Sequence, residues 1–535
     1  MSLLSIGRRK SLTIMSLGLA AAIACTSTTR LPAEHAHQAS GNPATFGTID
    51  FENSCAPSVQ AEFRMAVAML HSFAADAQQF VDVAKHDSSC AIAWWGAAMA
   101  ARGNPLVAEV DSGGLKIGQD YLAHAKTLKA MPRERAYLDA MEVYYRDFPK
   151  GGQAARTQAY EAAMDRVFRG YPDDAEAAAF YGLAMVEAVD LNSRNYDQQL
   201  KAGKVLEALL TRQPDHPGGL HYLIHAYDFT ALAERALPAA RRYAAAAPAS
   251  YHARHMPAHI FTMLGLWEES IRANRESNAV IDPDRADDPV GGDIAAMHSF
   301  DFIVYARLQM AQDWWVAADL EALRKSGNVA TLMQARYVLE RGDWRTAADI
   351  PLSPSDGFDN VTARFARALG AARLGELIKA KTELEALRAL RGVIERESGV
   401  YWAGFVDIYA LAVDGWIAKA DGNLDLGLKE MSAAADLDDA REKSIAMENK
   451  LSHMRELFGE YLLEIGRSVQ AEIAFAKSLE NATNRYRSFL GGARAAKATG
   501  DVSKARDYYG KLVTLTLKAD SRSQEISEAE KYLAQ

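Results

Sequence analysis

Three cysteines in 535 residues exclude a fold stapled by a dense disulfide framework. Beyond residue 25 no stretch reaches the roughly 18 consecutive apolar residues of a membrane span. Period-2 runs bounded by hairpin turns are missing, which argues against a sandwich or barrel and against a phosphate loop set after a strand. Cations are not in excess: 60 Lys and Arg stand against 69 Asp and Glu, a formal charge of −9. With no basic tract to track a phosphate backbone, nucleic acid is not expected as a partner. There is no G-x-S-x-G elbow, and Tyr222 stands where an H-E-x-x-H motif would carry its general base. No catalytic residue is assigned from the sequence, and the reading leans away from an enzyme.

What is there is mostly helix. Apolar residues make up 49% and charged residues 24% of the chain, the balance of a folded protein too long for one ordinary core. From Cys55 onward, amphipathic segments alternate with short breaks such as Gly170–Asp174, Gln213–Pro217 and Asp282–Asp284. The breaks carry helix-start chemistry: Pro217 suits a first turn, and Ser250 suits the cap of the helix that runs through His259.

The first residues read as a leader. Arg8, Arg9 and Lys10 precede an apolar Ser11–Ala24, which ends in Ala22-Ile23-Ala24, so residues 1–24 are expected to be a signal peptide. Ile23-Ala24-Cys25 resembles a bacterial lipobox, although Ala22 stands where that motif usually has Leu. The resemblance implies a lipid on Cys25 and, with Thr26 next, an outer-membrane lipoprotein facing the periplasm. Membrane contact would then run only through that anchor. Simple cleavage to a soluble periplasmic or secreted protein is the alternative. Residues 25–50 read as a flexible tether. Cys55 and Cys90 lie 35 residues apart and in an oxidising compartment are expected to pair; two buried thiols are the other reading.

Six of the 13 histidines fall between residues 215 and 268. Five form two groups, His221-x-x-x-His225 and His252-x-x-His255-x-x-x-His259. His221 to His255 and His225 to His259 are each 34 residues, a period that belongs to stacked helix–turn–helix units. Spacing of i, i+4 places each pair on one helix face.

Several segments resemble tetratricopeptide repeats. Leu264-Gly265-Leu266-Trp267-Glu268-Glu269-Ser270-Ile271 closing at Asp282-Pro283, and Glu340-Arg341-Gly342-Asp343-Trp344 with Ala347-Ala348, carry the family's small–turn–aromatic pattern. Shorter versions recur at Asp421-Gly422-Asn423 and Gly500-Asp501-Val502. Each places Gly where the inter-helix turn needs φ > 0. The resemblance implies an all-α superhelix of about ten to twelve helix pairs over residues 51–520, closed by a capping helix in residues 521–535. The recurring style is that of large bacterial envelope proteins of this repeat class. Trp94-Trp95 and Trp314-Trp315 are expected between helices, and the acidic stretch Asp282–Asp293 as a lid or a surface insertion.

In such repeats the first helices line a concave groove where ligands bind. Alignment on the repeat gives a groove set of His221, His225, His252, His255, His259, His298, Asp301 and Tyr305. His221, His225, His255 and His259 are candidate ligands for a transition metal such as zinc or copper, with Asp228 as a ligand or an acceptor behind one. Pro257 is expected to kink the second group or to confine His259 to a new first turn. Three functions stay open: an envelope scaffold holding a protein or peptide in its groove, a metal-binding envelope protein or metalloenzyme, and a structural lipoprotein whose histidines only pack.

Overall fold

A computed structural model describes residues 46–107, 109–146, 152–190, 194–281, 294–326, 330–354, 357–443 and 449–535. The leader, Cys25, most of the tether and the stretch 282–293 lie outside the described residues. Among the described residues there are helices and turns and no strand. Successive helices pack chiefly on their neighbours in sequence, giving an all-α superhelix of tetratricopeptide-like helix pairs.

Local chemistry sets the borders. Asp174, Ser250, Asn423 and Asp501 each cap a helix by accepting a backbone N–H with the side chain. The expected turn glycines adopt left-handed backbone, with φ of +65° at Gly265 and +63° at Gly342, and Gly422 and Gly500 do the same. Gly265 is also a close contact: a Cβ there would meet Asn484 Cβ at 2.4 Å. The final helix, Gln524–Leu533, is capped by Ser523 and buries Ile526 and Ala529 on the last pair.

Apolar faces merge into long cores. One runs from Phe46 through Phe261 and takes in Phe302; another spans Ala335 to Ala495. Phe46, Ile49 and Phe51 are buried, so residues 46–51 lie against the first repeats. A third cluster joins Trp267, Tyr305 and Met310 to Tyr486, Phe489 and Tyr509. The C-terminal repeats therefore come back onto the middle of the chain. Thr230 Oγ1 donates to Asn481 O at 2.9 Å, Thr483 Oγ1 to Met263 O at 2.7 Å and Asn484 Nδ2 to Gly265 O at 2.9 Å.

The two tryptophan pairs differ. Trp95 is fully buried, whereas Trp314 and Trp315 are 73% and 52% exposed. Their helix, Asp313–Lys325, turns Val316, Asp319 and Leu323 inward, and that leaves both rings on the outside instead of between helices.

Cys55 and Cys90 form a disulfide with Cα atoms 4.6 Å apart. It ties the residues before the first helices to the N-cap of Ala91–Ala100. Cross-linking a loop of this length restricts the unfolded chain by about 3–4 kcal/mol. A Cys55→Ser/Cys90→Ser variant should lose about that much stability in denaturant titration under oxidising conditions; an unchanged midpoint would contradict it.

Candidate metal centre

His221 and His225 ride on the helix Pro217–Ala226, whose N-cap His216 accepts the Gly219 N–H. The next histidines sit on a helix that Pro257 divides into Tyr251–His255 and Pro257–Met263. Proline has no N–H to give and takes the first position of the new helix. The break does not part His255 from His259: their Nε2 atoms are 3.0 Å apart. His298 stands on Ile294–Gln309.

The histidines gather as two sets of three, each with ligand atoms within 4.8 Å of one another. One is His221, His225 and His252; the other is His255, His259 and His298. The two i, i+4 pairs thus fall in different sets, and each takes a third ring from the groove set. His252 and His298 are partly exposed while the other four are buried.

In the first set the Nε2 atoms of His225 and His252 each lie 3.0 Å from His221 Nε2. His221 Nδ1 donates to the His71 carbonyl at 2.5 Å. A neutral ring has one proton, so His221 Nε2 presents a bare lone pair. That lone pair accepts one hydrogen bond at most, yet two nitrogens face it.

In the second set both tautomers are fixed. His255 Nδ1 donates to Asn274 Oδ1 at 2.7 Å, and Asn274 is held that way round because its Nδ2 donates to Ser270 O. His259 Nδ1 donates to Asp228 Oδ2 at 2.8 Å. Two Nε2 lone pairs therefore point at each other across 3.0 Å. Only a shared cation makes such an approach favourable. A proton is opposed by the surroundings: burial first, then the neighbouring rings and, for His259, the Lys443 ammonium ahead of them, hold His221, His225, His255 and His259 well below the usual imidazole range. A metal ion fits. Nitrogens bound at 2.0–2.1 Å to one centre stand about 2.9 Å apart at a right angle and about 3.3 Å apart at the tetrahedral angle, and outer acceptors on Nδ1–H are what metal-bound histidines have.

One phenylalanine backs each set. Phe73 lies 4.7, 6.2 and 5.6 Å from the rings of His221, His225 and His252. Phe302 lies 5.2, 4.9 and 5.4 Å from those of His255, His259 and His298. Phe73 holds a left-handed φ of 52°, a strained conformation for an aromatic residue. Neither phenylalanine stood out in the sequence, since a lone apolar residue carries no ligand signal.

A third cluster, His71, Glu176 and His216, behaves differently. His71 Nε2 and His216 Nε2 lie 2.7 and 3.2 Å from the Glu176 carboxylate, His71 Nδ1 is 3.0 Å from Tyr222 Oη, and His216 Nδ1 accepts from Gly219. Every ring nitrogen has a partner. Burial works against the Glu176 carboxylate, but His71 and His216 outweigh it and hold its pKa far down. This cluster is a completed structural network.

Two residues of the groove set do not join the histidines. Asp301 is buried in a two-point ion pair with Arg336, at 3.1 and 2.9 Å. Tyr305 Oη accepts from Arg485 at 2.7 Å and lies 3.1 Å from His453 Nε2. Tyr305 and His453 line a polar cavity beyond Asp228, bounded also by Arg194, Glu442 and Lys443. Lys443 Nζ reaches Asp228 Oδ2 at 3.2 Å, so Asp228 links the second set to the C-terminal repeats. A second cavity, lined by Leu106, Val186, Glu187, Gln199 and Phe229, reaches His225. His225 Nδ1, Glu187 Oε1 and Gln199 Oε1 are buried without a protein partner.

The depressed imidazoles give the metal-free protein an acid sensitivity. Unfolded, each ring takes its proton near pH 6.5; folded, burial keeps the proton off until lower pH. Below about pH 6.5 the unfolded chain binds more protons, so stability falls with pH, by about 1.4 kcal/mol per pH unit for each ring in this window. Thermal unfolding of chelator-treated protein between about pH 7.5 and pH 5.5 should show a falling midpoint, less steep in His221→Ala/His255→Ala. A flat profile would mean that the rings are not held neutral.

No family profile matches the chain, and no curated protein matches it. Among solved structures it is similar to a monomeric IFIT1 mutant with Gppp-AAAA, at TM-score 0.34 and 10% identity over 87% of this chain and 94% of that one. It is similar also to the human IFIT1 dimer with PPP-AAAA, at TM-score 0.33 and 11% identity over 84% and 95%. A third is Naa15/Naa10 bound to HypK-THB, at TM-score 0.24 and 14% identity over 89% and 81%. Scores this low carry no argument, and the fold assignment rests on the helix pairs themselves.

Proposed function

We propose that this protein is a tetratricopeptide-like scaffold of the cell envelope that holds two transition-metal ions, each on three imidazoles. The observation that carries the proposal is the 3.0 Å approach of His255 Nε2 and His259 Nε2, with both Nδ1 protons committed elsewhere. Copper and zinc are the metals that an imidazole-only set suits best. Three protein ligands leave a coordination position open, as centres that act on a small molecule require. The cationic and apolar start of the sequence, ending in Ile23-Ala24-Cys25, supports a setting outside the cytoplasm with Cys25 as an anchor. A peptide has no access to the four buried rings, so the histidines serve as ligands, not as a peptide-binding surface.

Metal analysis of the exported, untagged protein checks this. About two equivalents of copper or zinc per chain are expected, falling to background in His221→Ala/His255→Ala. Retained metal in that variant, or none in a folded parent, would remove the proposal.

A second reading, a scaffold for a protein partner, is favoured by the outward Trp314 and Trp315. They stand beside an exposed Leu517: Gln312 Nε2 donates to Lys518 O, and Trp315 N donates to Asp520 Oδ2. Exposed tryptophans are common anchors of interfaces. Chemical cross-linking in intact cells should trap a partner, and Trp314→Ser/Trp315→Ser should abolish the adduct while leaving metal content unchanged. An adduct that survives the double variant would place the partner elsewhere.

A further inference from the structure

The two histidine sets lie side by side. The rings of His252 and His255 approach to 6.4 Å and those of His225 and His259 to 6.5 Å. His221, His225 and His252 come from the first set, His255, His259 and His298 from the second, and among the described residues each set consists of imidazoles alone. Asp228 Oδ2 receives His259 Nδ1 and Lys443 while its Oδ1 is buried without a partner, and Asp301 is paired to Arg336. The partly exposed His252 and His298 form the accessible side, while Phe73 and Phe302 back the far rings.

On the metal reading above, we propose that the two sets act together as one dinuclear copper centre whose open positions take a small bridging ligand of the hydroxide and peroxide class. Two-metal sites work with ions about 3.5–4 Å apart. With ligand bonds of about 2 Å, rings that close to 6.4 Å suit ions in that range. Six neutral imidazoles supply no negative charge, so two cupric ions in this buried place gain most from an anion that touches both. Copper also stands at the top of the affinity order for nitrogen sites. Hydrogen peroxide would displace the waters at the two open positions and lose its two protons to solvent, and the six imidazoles would hold the two ions that take up the resulting dianion. No electron is transferred in that step.

The test uses the full exported protein loaded with two equivalents of Cu(II) and read by metal analysis, electron paramagnetic resonance and visible absorption. A bridged pair couples its two spins, so the expected result is two coppers per chain with about a tenfold loss of signal against a free-copper standard. Azide and hydrogen peroxide should each add a new absorption band at one equivalent per copper pair. His298→Ala and His252→Ala, made separately, should each retain one copper and restore about one full spin per chain. The pair matters because the two variants break opposite sets, and either one that folds, by circular dichroism, suffices. Two bound coppers with two full uncoupled spins would overturn the dinuclear centre while leaving the metal sites standing. Absence of stoichiometric copper in folded parent would overturn both.

Discussion

A neutral imidazole has one proton for two nitrogens, and here the fold decides which nitrogen receives it. The His71 carbonyl, Asn274 Oδ1 and Asp228 Oδ2 take the Nδ1 protons of His221, His255 and His259. These acceptors come from three places: the turn after the helix Gln60–Leu70, the helix Trp267–Ile281, and the residues just beyond Ala226. Stacking the repeats in register is what brings them behind the rings. Once they are in place, the Nε2 lone pairs have no direction to face but one another. Buried polar atoms of this kind cost free energy unless a partner is supplied, so the same stacking that forms the core leaves lone pairs that the proposed cations would satisfy.

The supports of that arrangement reach through the molecule. His71 offers its carbonyl to His221 while its ring belongs to the Glu176 network, and Gly218 lets the two helices meet, since a Cβ there would stand 2.3 Å from His71 Nδ1. Burial raises the Asp228 carboxyl above its usual range, and the Lys443 ammonium beside it opposes that rise while sharing Oδ2 with His259. Lys443 belongs to the C-terminal repeats, and these are held against the middle by Thr230, Thr483 and Asn484. Closure of the superhelix is thus tied to the orientation of one imidazole.

Much of this was legible in the sequence, and the limits have physical causes. Period, turn glycines, helix caps and the cysteine pair are local features, and each reports on its own few residues. The i, i+4 pairs were legible for the same reason. Partnership between the groups was not: the 34-residue period aligns His221 with His255, but lateral stacking and the Pro257 break give each pair its own third ring. Asp301 fell in register with the histidines and is drawn away by Arg336, a residue 35 positions on whose charge had no visible claim on it. Trp314 and Trp315 read as core because large aromatic residues are usually inside, whereas their helix presents its other face to the neighbouring repeats. Phe73 and the return of the C-terminal repeats depend on distant contacts that no spacing records.

The strongest reason to separate ligand histidines from packing histidines is that both kinds occur within a few ångströms of each other. His71 and His216 are as buried as His221 and His225, so burial alone does not distinguish them. Partner counting does. The Glu176 carboxylate, Tyr222 and a backbone N–H satisfy every nitrogen of the first pair, whereas His221 meets two nitrogens with one lone pair, and His255 and His259 meet lone pair to lone pair. A repeat protein that needed histidine only to hold its register would have completed all of them as it completed His71. In the first set two nitrogens meet one lone pair and in the second two lone pairs meet, each set beside a phenylalanine, and this contrast with His71 is what supports the proposed metal sites.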